Sequence, residues 1–360
     1  MYMLIRNILY FLNKKTFSWA KTPNGVTVNK KIILLLTLLL AMISSIPVAA
    51  SELVVYSARA EQLIKPLFDA YTAKTGVTIQ YVTDKEPVLL ERLKAEGERT
   101  PADMLITVDA GNLWLAGEAG VISPVQSETL AANIPDHLRD PDNRWFGLSL
   151  RARTIVYNTG KVKPADLTTY AALAGPEWKG RLLLRTSKKV YNQSLVAALI
   201  AELGEAEAER VVAGWVANIP VAPFANDNQA MEAVAAGVGD VTIVNTYYFG
   251  KLIKEKPDAP LALFWPDQAG TGVHVNVSGA GITTHAKHRE EAVKFLEWLS
   301  SGEAQAMFAA LNMEYPANPA VPADSSVAAW GDFKASTLNV AKYGEYQAQA
   351  IKLMDRVGYK

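Results

Sequence analysis

Leu53-Val54-Val55-Tyr56-Ser57 has the unbroken apolar character of a strand buried on both faces. Helical spacing of apolar positions takes over from about Glu61 to Lys74, and Gly76-Val77 opens a second strand, 77–82. A helix over 87–96, a loop over 97–101 and a third strand over 103–108 follow. This alternation predicts an α/β fold with a mixed, mostly parallel sheet flanked by helices. The same style continues with strands at 145–150, 154–157, 181–184 and 241–244, and helices at 194–203, 207–217 and 228–236. Beyond Gly272 come a strand over 273–281 and helices over 289–300, 302–310 and 343–357. Two lobes accommodate this layout: 51–146 plus 273–325, and 147–272 plus 326–360. The crossings near 146 and 273 would form a hinge.

The first 50 residues turn this into an exported protein. They contain six Lys/Arg and no Asp/Glu. Lys30-Lys31 precede an apolar run from Ile32 to Ile43, and Ser44-Ser45-Ile46-Pro47-Val48-Ala49-Ala50 follows it. A basic segment, an apolar segment and a small-residue cleavage site make residues 1–50 a signal peptide with an extended n-region, destined for the periplasm. The run is short for a spanning helix, although an uncleaved anchor is the alternative. Without the leader, 30 Lys/Arg face 36 Asp/Glu, a net charge of −6, which argues against nucleic acid as the partner. The chain has no Cys, so thiolate zinc sites, iron–sulfur clusters, disulfides and thiol nucleophiles are excluded. Neither a Gly-x-Ser-x-Gly elbow nor His-Glu-x-x-His is present.

Three segments offer chemistry. Asn245-Thr246-Tyr247-Tyr248 directly follows a buried strand. Phenolate oxygen suits a hard trivalent cation such as Fe(III), which can displace the phenolic proton near neutral pH. Adjacent tyrosines in a strand point to opposite faces, so a shared metal requires a loop or turn at the strand end. The plainer reading is a core or sheet-edge Tyr pair. Thr186-Ser187-Lys188-Lys189-Val190-Tyr191-Asn192-Gln193-Ser194 offers a third Tyr at a helix start, with Asn192 or Ser194 as an ordinary N-cap in the plainer view. Arg59 and Arg151 lie in Tyr56-Ser57-Ala58-Arg59 and Leu150-Arg151-Ala152-Arg153, suited to a bidentate anion or to salt bridges. Asp109 and Asp227 are expected as hydrogen-bonding supports. His274 is expected in a structural role, and His137, His285 and His288 at the surface.

Together these segments resemble the bacterial periplasmic ferric iron-binding proteins, the transferrin-like receptors of iron(III) ABC transporters. The likeness runs through Val55-Tyr56-Ser57-Ala58-Arg59, Thr107-Val108-Asp109, Trp145-Phe146-Gly147-Leu148-Ser149-Leu150-Arg151-Ala152-Arg153, Tyr191-Asn192, Asn245-Thr246-Tyr247-Tyr248, Asn276-Val277-Ser278-Gly279 and Glu314-Tyr315-Pro316. It implies a two-lobed type II periplasmic-binding fold, with Fe(III) in the cleft on Tyr191, Tyr247 and Tyr248. It also implies a synergistic anion, carbonate or bicarbonate, on Arg59 and Arg151, with Asn245, Asp109 and Asn192 supporting. Relatives that use a His or a further Tyr after the first strand differ from this chain, which has Ala60-Glu61-Gln62 there. The partners implied are an inner-membrane ABC permease and a ferric ion or small ferric chelate, with no nucleic acid, for a monomeric protein that is not an enzyme. The alternatives are a receptor for another solute (an anion, thiamine or a polyamine) or a periplasmic hydrolase.

Overall fold

The computed structural model describes residues 52–360, together with the backbone of a short antiparallel pair, Trp19–Lys21 with Thr27–Asn29. The signal-peptide expectation for 1–50 otherwise lies outside the described residues. Contacts divide the chain into two units at Ala50/Ser51, and the α/β architecture belongs to Ser51–Lys360.

The second unit opens with β1 (Glu52–Ser57), α1 (Glu61–Thr75), β2 (Thr78–Thr83), α2 (Glu86–Glu96) and β3 (Met104–Val108), as the apolar pattern predicts, and continues into α3 (Ala110–Glu118), a helix that pattern did not predict. β1 pairs in parallel with both β2 and β3. The next long strand is β4 (Phe146–Asn158), and it corrects an expectation: 145–150 and 154–157 are one strand of 13 residues. Arg151 and Arg153 interrupt its apolar pattern, yet both are buried, because acidic partners neutralise them inside the protein.

After β5 (Leu182–Leu183) come α4 (Val190–Leu203), α5 (Glu205–Asn218), α6 (Asp227–Ala235), β6 (Val241–Asn245), α7 (Thr246–Glu255) and β7 (Leu261–Phe264). β8 (Val275–Thr283), α8 (Arg289–Leu299), α9 (Gly302–Ala310) and β9 (Tyr315–Pro316) follow, and the chain ends in α10 (Ala341–Glu345) and α11 (Gln347–Arg356). The helix expected over 343–357 is thus two helices meeting at Tyr346, whose φ of −95° and ψ of 0° leave the helical region.

The main path of the sheet runs β2-β1-β3-β8-β4-β6-β5. β4 is the link. Its first half pairs antiparallel with β8, from Ala280↔Phe146 to Val275↔Ala152, and its second half with β6, from Arg153↔Asn245 to Tyr157↔Val241. One apolar core surrounds the first part of the sheet, with Leu53, Ile106, Trp145 and Phe295. The second part is covered on both faces. Leu182, Ile155 and Ile243 point into one cluster, while their neighbours Leu183, Val156 and Val244 point into another, as the period-two alternation of strands requires. Val340 and Tyr343 pack in the first core, Leu353 and Tyr359 in the second, so the C-terminal segment touches both. Near the second crossing, Gly272 has φ +95°, and a Cβ there would lie 2.6 Å from the Lys334 carbonyl oxygen.

Candidate metal centre

The phenols of Tyr191, Tyr247 and Tyr248 line one cavity of about 370 Å³, together with Arg59, Arg151 and Ser278. The backbone delivers them differently from the sequence-based expectation. Tyr247 and Tyr248 occupy the first turn of α7, directly after Asn245 leaves β6 in an extended conformation; they are not in a loop. Neighbouring residues on a helix are separated by roughly a quarter turn. Both rings therefore reach the same side, with centroids 4.4 Å apart and planes tilted by 41°. Tyr191 likewise sits in the first turn of α4, which begins four residues earlier than expected. Asn192 and Ser194 do not cap this helix. Asn192 donates to the carbonyls of Arg185 and Thr186, and Ser194 Oγ donates to Asp109 at 2.7 Å.

Burial and charge oppose one another here. Burial, then the neighbouring Tyr248, pushes Tyr191 up to about 12 against the pull of Arg151. Tyr247 is driven well above its ordinary value by burial and by its Tyr191 and Tyr248 neighbours, with Arg151 again pulling down. Cations surround the rings: Arg151, Arg185 and Lys189 lie 5.5, 5.4 and 4.9 Å from the Tyr191 centroid, and Lys251 lies 5.4 Å from that of Tyr247. Burial keeps the Tyr191 and Tyr247 phenols protonated when empty, while these cations pull toward phenolate and favour it once a trivalent cation displaces the protons. Among the described residues, no group of three His, Cys, Asp or Glu could hold a metal, so these phenols are the concentrated hard donors of the cavity.

The two arginines are only partly committed. Arg59 Nη1 pairs with Glu314 Oε2 at 3.1 Å, and Arg151 Nη2 with Asp109 Oδ2 at 3.3 Å. Arg59 Nε and Nη2, Arg151 Nη1 and Ser278 Oγ are buried without partners. Unmatched buried donors at a cavity wall are costly unless a ligand takes them, and an oxyanion does so. Sequence reasoning missed Glu314 and Ser278 as cavity residues, although both stand within segments that carry the family resemblance. Burial raises the Glu314 carboxyl, but Arg59 and Ser149 outweigh it and hold it below its usual range. Its Oε1 accepts from Asn312, and Asn312 Oδ1 accepts from Lys251 at 2.6 Å.

Asp109, expected as a hydrogen-bonding support, lies at the start of α3. Its φ of 80° is unusual for a non-glycine residue. Gly111 N, Ser194 Oγ, Asn276 Nδ2 and Arg151 Nη2 all donate to its carboxylate, which over-determines the strained backbone. Asp227 plays the same part for Arg153 and Arg185. His274 is buried, its ring lies 4.6 Å from that of Tyr343 at a tilt of 43°, and it is held down to about 3 by burial, then by Arg153 and Arg151.

A cleft of this kind beside a strand shared by two sheet halves defines a solute-binding receptor. The chain belongs to the bacterial extracellular solute-binding protein family, whose profile matches residues 66–335. It is similar to iron uptake protein A1 of Synechocystis sp., with 45% identity over 89% of this chain and 91% of that protein. It is also similar to the major ferric iron-binding protein of Neisseria meningitidis, with 26% identity over 90% of this chain and 98% of that one. A solved Trichodesmium protein (IdiA, FutA) in complex with iron and citrate superposes with a TM-score of 0.83 at 45% identity, covering 86% of this chain and all of that one. The Campylobacter jejuni ferric binding protein gives 0.79 at 33% identity, covering 86% of this chain and all of that one. The architecture is accordingly the two-lobed type II periplasmic-binding fold.

Proposed function

We propose that this chain is a periplasmic receptor that captures Fe(III) on the phenolates of Tyr191, Tyr247 and Tyr248 and delivers it to an inner-membrane ABC permease. A synergistic anion, carbonate or bicarbonate, bridges Arg59 and Arg151, with Asn245, Asp109 and Asn192 as supports. The carrying observation is the convergence of three buried or half-buried phenols with unpartnered guanidinium nitrogens on one cavity. Three phenolates balance the metal's charge, and the free arginine donors balance the anion. The names of the relatives point the same way, and the citrate in the Trichodesmium complex favours a second form of cargo, a small ferric chelate.

The lobes proposed are 51–146 plus 273–325, and 147–272 plus 326–360, with closure at the crossings near 146 and 273. The chain acts as a monomer, by binding and not by turnover, after export on a cleaved leader. The test is a visible titration of apo protein with ferric citrate and bicarbonate. A phenolate-to-iron charge-transfer band saturating at one iron per chain, and weakened in Tyr247→Phe, is the expected result. Absence of any band would sink the ferric reading.

A further inference from the structure

Arg151 and Arg153 lie two residues apart on β4 and leave it on the same face, but they serve opposite halves of the molecule. Arg151 engages Asp109, at the start of α3. Arg153 engages the other half at the point where β4 changes partner, opposite Asn245 in the register. It does not line the cavity, and only 2% of it is exposed.

Its planar fork spans the two tyrosine-bearing segments. Nη1 donates to Asn245 Oδ1 at 3.1 Å and to Asp227 Oδ2 at 3.3 Å. Nη2 donates to Asn192 Oδ1 and to the Ile243 carbonyl. Asn245 Nδ2 in turn donates to the Tyr247 phenol at 3.2 Å, and Asn192 is the neighbour of Tyr191 in the first turn of α4. Asp227 closes the frame by accepting from the Asn245 backbone N–H at 3.1 Å and from Arg185 at 3.3 Å. One guanidinium is therefore the common partner of two asparagines whose ligand-bearing helices are far apart in sequence.

We propose that Arg153 is a positioning residue for the metal: acting through Asn192 and Asn245, it sets the separation of the Tyr191 and Tyr247 phenols before iron arrives. This rests on the ferric reading. Neutral phenols have no charge to hold them in a metal-ready arrangement, so the frame has to come from elsewhere. A guanidinium meets both asparagine carbonyls in fixed directions, which a lysine ammonium does not.

The test compares wild type with Arg153→Lys, Asn245→Ala and Asn192→Ala in the whole chain. Ferric citrate with bicarbonate is the probe. Charge-transfer spectra, iron affinity by chelator competition and far-UV circular dichroism are the readouts. The asparagine variants are expected to fold, to lose roughly 10- to 100-fold in iron affinity and to show a shifted or weakened band. Arg153→Lys is expected to match them, and combining it with Asn245→Ala should cost less than the sum, because both break one link. Should Arg153→Lys fail to fold, the asparagine variants decide alone. Affinity and band unchanged in both asparagine variants would overturn the proposal, as would lost affinity with an unshifted band. A wild type without any band would instead defeat the ferric reading itself.

Discussion

Replacing Tyr191 with Phe should remove one phenolate from the metal and one proton from every binding event. Burial holds this phenol at about 12, above its ordinary value. At pH 7 its ionisation therefore costs about 7 kcal/mol, which the iron–phenolate bond has to offset. The sign depends on which state carries the proton. The apo phenol keeps it and the ferric complex does not, so affinity falls with acid, about tenfold per pH unit for each phenol that binds. Three phenols give about a thousandfold loss between pH 7 and pH 6, on the order of 4 kcal/mol. Any proton given up by bicarbonate adds equally to wild type and variant, so the difference in slope is the diagnostic quantity. In Tyr191→Phe that slope should be smaller by one proton. The assay is competition against a ferric chelator of known protonation behaviour from about pH 6 to pH 8, paired with proton release in weak buffer. Equal slopes in the two proteins would mean that Tyr191 gives up no proton and is not a ligand.

Ser278→Ala should separate stability from function. Deleting a buried, unpartnered hydroxyl leaves urea stability unchanged or raised, while the bicarbonate-dependent part of iron affinity weakens by about 1 kcal/mol if that hydroxyl meets the anion. Asp109→Ala leaves Arg151 without its buried carboxylate and removes the group that four donors hold, so urea unfolding should report a loss of about 3 kcal/mol. His274 resists protonation down to about pH 3 when folded. The unfolded chain takes up that proton near the ordinary histidine value, so stability present above about pH 6.5 drains away as pH falls, by up to about 1.4 kcal/mol per unit. In His274→Gln the fall in urea midpoint with acid should be shallower than in wild type; parallel curves would refute the assignment.

The phenols were legible in the sequence because their signal is local. Tyr247-Tyr248 follows an apolar strand, Tyr191 stands in a polar run before an apolar helix, and each pattern fits within ten residues. Their backbone setting was less legible. A strand that passes straight into a helix leaves little turn composition to announce it, so the pair was expected in a loop when helical geometry already brings the rings together. The charges were the least legible part. Arg151 and Arg153 look like an interruption of β4 because a buried arginine is costly without a partner, and the partners are distant: Asp109 lies 42 residues away and Asp227 lies 74. Arg59 and Glu314 are separated by 255 residues. Donor chemistry can be carried by adjacent residues, but the positive field that opposes burial and favours phenolate has to be assembled from both halves of the sheet. Among the described residues only β4 belongs to both, which is why the arginines that organise the two sides of this cavity stand on it.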